Sequence, residues 1–219
     1  DHGFNHLLFG LKRRKLGALR REIEEAEKIT GVKVLMGMES NLISVDGETD
    51  MKPSDLDKFD IYLAGIHTVL RYKSVKDMHR IMFANYIAYT KGKRPSQKIV
   101  DATTEAYINA VKNNPIDIIT HINFKCCCDL EAVAAVCAEY GTYIEINTKK
   151  RHISPEELRV MAATGVRFVI DSDAHSASRV GDTAIADELL AEADIPLGQI
   201  DNIDGRLPSF RFQKYKKGI

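Results

Sequence analysis

The 219-residue sequence predicts an α/β fold in which a mainly parallel sheet is covered by helices, and three observations carry that reading. Short apolar runs of strand length recur along the chain, amphipathic segments with three- and four-residue spacing lie between them, and the connections suit strand–helix–strand units. Lys12 to Ile29 puts Leu16, Leu19, Ile23 and Ala26 on one face among charged residues, and Thr30-Gly31 closes the helix. Val32 to Met38 follows as a strand leading to Glu39. Leu42 to Asp50 reads as a small hairpin turning at Asp46-Gly47. Asp60 to Ile66 is the next strand and ends at His67. Ser74 to Thr90 and Ser96 to Asn113 are helical, separated by the turn-like Lys91-Gly92-Lys93-Arg94-Pro95, and Pro115 precedes a strand that ends at His121. Asp129 to Tyr140 is an Ala-rich helix capped by Gly141, and Thr142 to Ile146 returns as a strand. Ser154-Pro155-Glu156-Glu157 starts a helix that ends by Gly165: Ser caps, Pro suits the first position, and the acids face the positive end of the dipole. Val166 to Ile170 is the last strand, followed by Asp171-Ser172-Asp173-Ala174-His175 and a helix from about Thr183 to Glu192.

Composition narrows the function. Hydrophobic residues at 44% and charged residues at 28% exclude an intrinsically disordered chain. Lys plus Arg and Asp plus Glu both number 31, so no basic excess favours nucleic acid or a polybasic membrane contact, and a small-molecule partner is expected. No run approaches the roughly 20 apolar residues of a membrane helix, and Asp1-His2-Gly3-Phe4-Asn5-His6 lacks the plan of a signal peptide. Cys126, Cys127, Cys128 and Cys137 are too clustered to staple distant parts of the chain, which points to a reducing, cytoplasmic setting. No repeat or linker divides the sequence, so residues 1–219 are read as one domain, and because residue 1 is not Met the chain is expected to begin inside a longer gene product.

The chemistry stands at the strand ends. Glu39, His67, His121 and the pair Asp173 and His175 each follow an apolar run, and in parallel α/β folds the carboxyl ends of the strands share one rim. Any single His or Asp after a strand is more often a cap or loop residue. Four segments presenting imidazoles and carboxylates together point instead to a multinuclear site for zinc, manganese or iron, in which a carboxylate bridges two ions.

Asp1-His2-Gly3, Gly37-Met38-Glu39-Ser40-Asn41 with Val45-Asp46-Gly47-Glu48, Ala64-Gly65-Ile66-His67, Ile119-Thr120-His121, Ile144-Glu145-Ile146-Asn147 and Asp171-Ser172-Asp173-Ala174-His175 resemble, in order, the motifs of the PHP (polymerase and histidinol phosphatase) superfamily. The likeness is nearest to its small stand-alone bacterial phosphatases. It implies a distorted seven-stranded (β/α) TIM-like barrel that binds up to three divalent ions and cleaves phosphate esters. By motif match, Glu39 is the bridging carboxylate, His67 and His121 complete one site, Asp173 belongs to its neighbour, and His2 and His175 serve the third. The family's opening His-x-His motif is absent, which implies a preceding segment of roughly 35 to 40 residues and a barrel lacking its first strands here. After His121 the family commonly carries Pro and Gly, whereas this chain has Ile122-Asn123-Phe124 and Lys125-Cys126-Cys127-Cys128. Thiolate ligation by the cysteine run is one reading of it; small residues before a helix, with Cys137 in the core, is the plainer one.

The function implied is a metal-dependent phosphatase or phosphodiesterase of a small phosphorylated metabolite, using a metal-bound hydroxide with no Ser or Cys nucleophile elbow. Arg151, after Lys149-Lys150, and Arg179 are the candidate ligands for phosphate oxygens, against the alternative of a solvated loop run. Asn41 and Asn147 are candidates to orient metal ligands or to cap strand ends, and His6, His79 and His152 receive no role. The long stretch from Leu70 to Asn114 fits either rim embellishment or a contact between copies in a homo-oligomer. Two other classes stand beside this reading: a nuclease or proofreading activity on nucleic-acid ends, and a scaffold whose metal sites are incomplete. Metal analysis with a phosphomonoester and a phosphodiester separates the three.

Overall fold

Five parallel strands in the order β1-β2-β3-β4-β5 form the sheet of the computed structural model, which describes residues 1–218. They are β1 (Gly37–Asn41), β2 (Ile61–Gly65), β3 (Ile118–Ile119), β4 (Tyr143–Asn147) and β5 (Phe168–Asp171). The helices are α1 (Leu16–Thr30), α2 (Val75–Asp77), α3 (Ala84–Thr90), α4 (Gln97–Asn113), α5 (Leu130–Tyr140), α6 (Pro155–Ala163), α7 (Ala184–Ala193) and α8 (Arg211–Lys216). The α/β class and parallel pairing agree with the sequence; the sheet has five strands where the family likeness implies seven. Both of its edges carry one further parallel bridge, His2 beside Glu39 and Ile200 beside Phe168.

Local chemistry explains the boundaries. Asp129 caps α5 by accepting from the Ala132 N–H at 3.0 Å. At α6, Glu157 N donates to the Ser154 hydroxyl and Ser154 N donates back to the Glu157 carboxylate, a reciprocal cap, with Pro155 as the first helical residue. Gly31 ends α1 at φ 70°, where its N–H reaches the Glu27 carbonyl. The hairpin at 42–50 is present as a Leu42–Thr49 antiparallel bridge around Gly47, at φ 82°.

Three boundaries differ from expectation. Residues 32–36 are not a strand: Val32 is 61% exposed, Val34 N–H is held by the Glu27 side chain, and pairing begins only at Gly37, so Glu39 lies inside β1, opposite Leu63. The segment expected as one helix from Ser74 runs from α2 into α3 through a π-helical stretch at Met78–Phe83. Helix α8, which no periodicity announced, is anchored by the fully buried Phe212.

The main core lies between the outer face of the sheet and the helices, where Met38, Tyr62, Ile119, Ile144 and Phe168 meet Tyr107, Val133 and Leu158. A smaller cluster of Ile118, Tyr143 and Val169, with Ile61, Leu63 and Phe210, lies on the inner face.

Candidate metal centre

Strand alternation aims Glu39 off the inner face of β1, while His67 and His121 follow β2 and β3 by two residues each. The Glu39 Oε1 atom lies 3.2 Å from His67 Nε2 and 2.8 Å from His121 Nε2, and those two ring nitrogens are 3.1 Å apart. The other carboxylate oxygen lies 3.2 Å from His2 Nδ1. His2, Glu39 and His67 each present a ligand atom within 4.8 Å of the others. Thr120 fixes the carboxylate by donating its hydroxyl to Oε1 at 2.9 Å.

The backbone is shaped around this meeting point. His121 is held at φ 29°, in the left-handed region that costs a residue with a Cβ. Its N–H donates to Glu145 Oε2 at 2.5 Å, which pins that turn. Gly65 is required beside it: a Cβ there would stand 2.4 Å from the Thr120 hydroxyl and 2.9 Å from the His121 ring. Asp50 ties the His2 loop to β1, since its carboxylate accepts from Asn5 N, Asn41 N, Asn41 Nδ2 and the Ser40 hydroxyl.

Electrostatics follow from burial and pairing. Burial alone would raise Glu39, but hydrogen bonds from His121, His2 and His67 hold it well below the usual carboxylate range. Burial lowers His67; it would lower His121 too, but the Glu39 carboxylate raises that ring instead. Glu145, with far less compensation, is pushed by burial up to about 8, and Asp171 to about 6. Burial takes His152, packed 5.0 Å from Phe124, down to about 4.

The buried Nδ1 atoms of His67 and His121 have no hydrogen-bond partner among the described residues, and that of His2 faces only the Glu39 carboxylate. The nitrogens that meet at Glu39 are His67 Nε2, His121 Nε2 and His2 Nδ1, and three imidazoles converging on one carboxylate fit a divalent cation such as zinc.

Asp173 and His175 stand apart from this cluster. Asp173, at φ 43°, accepts from Asn147 Nδ2 at 3.4 Å and pairs with Lys149 Nζ at 3.3 Å, and the exposed His175 ring lies 2.9 Å from the same Lys149. Both groups nevertheless line one cleft of ≈ 820 Å³, along with His6, Phe9, Phe124, Lys125, Lys149 and Lys150. Neither Arg151 nor Arg179 lines that cleft. Arg151 makes a two-pronged pair with Glu192, and Arg179 binds the Thr148 carbonyl and Asp182, so each guanidinium is engaged by its own neighbours. Asn147 orients both Glu145 and Asp173, whereas Asn41 serves Asp50. Cys126, Cys128 and Cys137 are buried, and burial raises all three thiols, with Cys126 and Cys137 at about 12, which keeps them protonated as core residues. His79 is exposed on the π-helical turn. Sequence reasoning missed Lys125, Asp50 and the part played by Glu145; the Glu145-Ile146-Asn147 motif was the available signal for the last.

No family model matches the chain. A probable phosphatase of Thermoanaerobacter sp. (strain X514) is 31% identical over 201 residues, covering 87% of this chain and 73% of that protein. A probable phosphatase of Shewanella sp. (strain ANA-3) is 31% identical over 183 residues, covering 80% of this chain; the chain spans 63% of the length of that relative. Among solved structures, the histidinol phosphate phosphatase of Lactococcus lactis, crystallised with zinc, L-histidinol and phosphate, superposes with a TM-score of 0.54 at 12% identity, covering 90% of this chain and 81% of that one. That likeness is one of fold. No helix among the described residues is long and apolar enough to cross a membrane.

Proposed function

This chain belongs to the family of bacterial proteins named probable phosphatases, PHP-like in fold, and we propose that it is a metal-dependent hydrolase of phosphate esters acting on a small phosphorylated metabolite. The observation that carries the proposal is the Glu39 carboxylate held within 3.2 Å of nitrogens from His2, His67 and His121 at the strand ends of a parallel sheet.

In this reading Glu39, His67 and His121 would hold one cation, and His2, Asp173 and His175 would serve neighbouring positions, up to three ions of zinc, manganese or iron in all. A bound divalent cation supplies Lewis acidity toward the phosphoryl oxygens and lowers the pKa of a coordinated water toward neutrality. The chain's own residues do the rest. Thr120 aims Glu39, Glu145 fixes the turn that aims His121, and Asn147 holds Asp173. Phosphate contacts assigned from the sequence to Arg151 and Arg179 pass to Lys125, Lys149 and Lys150, which line the cleft and offset charge on the transferring group. The exposed lip of Leu8 and Phe9 takes the organic part of the ester.

We read residues 1–219 as one domain of a distorted seven-stranded (β/α) TIM-like barrel. The edge bridges at His2 and Ile200 support it. So does the second cavity, ≈ 480 Å³, on the inner face, lined by Glu39, Glu145 and Asp171.

The test is direct. Metal-free protein reloaded with zinc, manganese or iron should release phosphate from a generic phosphomonoester and lose that activity to a chelator. Hydrolysis that survives chelation, or none with any of the three metals, would overturn the reading.

A further inference from the structure

One buried imidazole in the cleft is left over from the cluster. His6 is 8% exposed and stacks on His2, ring centroids 4.5 Å apart and planes 18° from parallel. A backbone loop is wrapped around it: His6 N donates to Gly3 O, Gly10 N to His6 O and Leu7 N to Val69 O, and a Cβ on Gly10 would stand 2.5 Å from the His6 carbonyl. The ring is therefore fixed against the segment that follows His67.

Its hydrogen bonds define its tautomer. Phe9 N–H donates to His6 Nδ1 at 3.1 Å, and Leu8 N–H makes a weaker approach at 3.4 Å. A backbone N–H can only donate, so Nδ1 presents its lone pair to the loop, and in the neutral ring the proton sits on Nε2. A protonated ring nitrogen has no lone pair for a cation, and the other lone pair is already engaged. His6 is thereby set apart from His2, whose Nδ1 faces the Glu39 carboxylate, and from His67 and His121, whose Nε2 atoms do. No acceptor among the described residues is hydrogen-bonded to His6 Nε2, although the residue lines the cleft shared with Lys125, Lys149 and Lys150.

We propose that His6 is a substrate-binding residue rather than a metal ligand: its Nε2–H donates to a phosphoryl oxygen lying in the cleft beside the Glu39 cluster. The inference rests on the phosphatase reading above and adds to it a neutral donor whose direction is set by a loop, complementing the charged but flexible lysines. A neutral N–H is suited to this position, because a further positive charge stacked on His2 would oppose cation binding by that ring.

Two substitutions separate the two nitrogens. In His6→Asn the side-chain oxygen stands near the Nδ1 position and still accepts from Phe9, but nothing reaches the Nε2 position; in His6→Gln an amide N–H₂ does. In the zinc-loaded full chain, His6→Asn should keep the wild-type zinc stoichiometry and bind inorganic phosphate about 10- to 100-fold more weakly, the loss of one hydrogen bond to a charged group. His6→Gln should recover most of that loss. Nitrogen-15 NMR of the metal-free wild-type chain reads the tautomer without any variant and should find the proton on Nε2. A proton on Nδ1, a missing equivalent of zinc in His6→Asn, or unchanged phosphate affinity would each overturn the proposal. Wild-type protein that takes up no divalent cation would remove the phosphatase reading along with it, whereas a zinc-loaded wild type with phosphate affinity equal to His6→Asn removes this inference alone.

Discussion

Alternate residues of the same five strands build two unlike surfaces. On the outer face Met38, Tyr62, Ile119, Ile144 and Phe168 are at most 1% exposed and pack into helices. On the inner face their neighbours Glu39, Leu63, Ile118, Glu145 and Val169 line a cavity of ≈ 480 Å³. That inner face is itself divided along the strands, apolar at the amino ends, where Ile118, Tyr143 and Val169 meet Phe210, and polar at the carboxyl ends, where Glu39, Thr120, Glu145 and Asp171 stand. Burying those carboxyls is costly, as the raised Glu145 and Asp171 record. Only Glu39, with three imidazoles around it, is held low. The difference teaches that the outer face is spent on stability and the upper inner face on binding, so substitutions on the two should fail in different assays.

The largest effect belongs to Glu39. Glu39→Ala removes the carboxylate that all three rings share and should lower phosphate release at least about a thousand-fold, roughly 4 kcal/mol of transition-state stabilisation, while metal content falls. Fold, followed by circular dichroism, should persist. Normal turnover in that variant would break the division between the faces. Phe168→Ala on the outer face should do the reverse, costing about 3–5 kcal/mol in denaturant unfolding through the cavity it leaves, with metal content per folded molecule unchanged. Val169→Ala, one residue on in the smaller inner cluster, removes far fewer atoms and should cost less than half as much.

The sequence reveals these faces unequally. The outer face was legible because period-two burial in a parallel sheet leaves apolar runs, and His67 and His121 stand just beyond those runs as expected. Glu39 was found by motif, yet its strand was set too early. Val32 and Val34 look like strand interior, and nothing local tells that Val34 N–H is taken by Glu27 and that pairing waits for Gly37. Arg151 shows the same limit at longer range, since its partner Glu192 lies 41 residues away on α7. Asp50 acts through tertiary placement: it collects donors from Ser40, Asn41 and Asn5, which no spacing rule links. The strain at His121 was invisible for the same reason, because a positive φ at a non-glycine residue is imposed by what surrounds it.

The amino end of the sheet offers a pH-dependent comparison. Asp117, fully buried at the start of β3, accepts from Tyr62 N at 3.0 Å and Phe212 N at 2.8 Å, and so fastens α8 and the adjoining Phe210 across the sheet. Burial pushes its carboxyl up to about 6 from an ordinary 3.8. A carboxyl raised in the folded state contributes stability that is fully present below the unfolded value and lost as pH rises through the folded one. The advantage of wild type over Asp117→Asn should therefore shrink between pH 4 and pH 7, by up to about 3 kcal/mol in urea unfolding. An advantage that grows with pH would mean that the two N–H donors outweigh desolvation.

The smallest effect tests how the polar end is held. Glu145 touches no ring nitrogen of the cluster; it accepts the His121 N–H and so keeps that residue in its strained turn, from which the imidazole meets Glu39. Removing the acceptor frees the turn to relax, and a ring displaced by a fraction of an ångström loses its share of a cation. Glu145→Ala should weaken zinc binding to the metal-free chain about 10- to 100-fold, the range for losing a partner that orients a ligand. Glu145→Gln retains a carbonyl acceptor at the same reach and should stay within a few-fold of wild type, even though it has lost the carboxyl. Equal weakening in both variants would assign the effect to the acid group itself, and the claim that the upper inner face works by geometry would then have to be replaced by one based on charge.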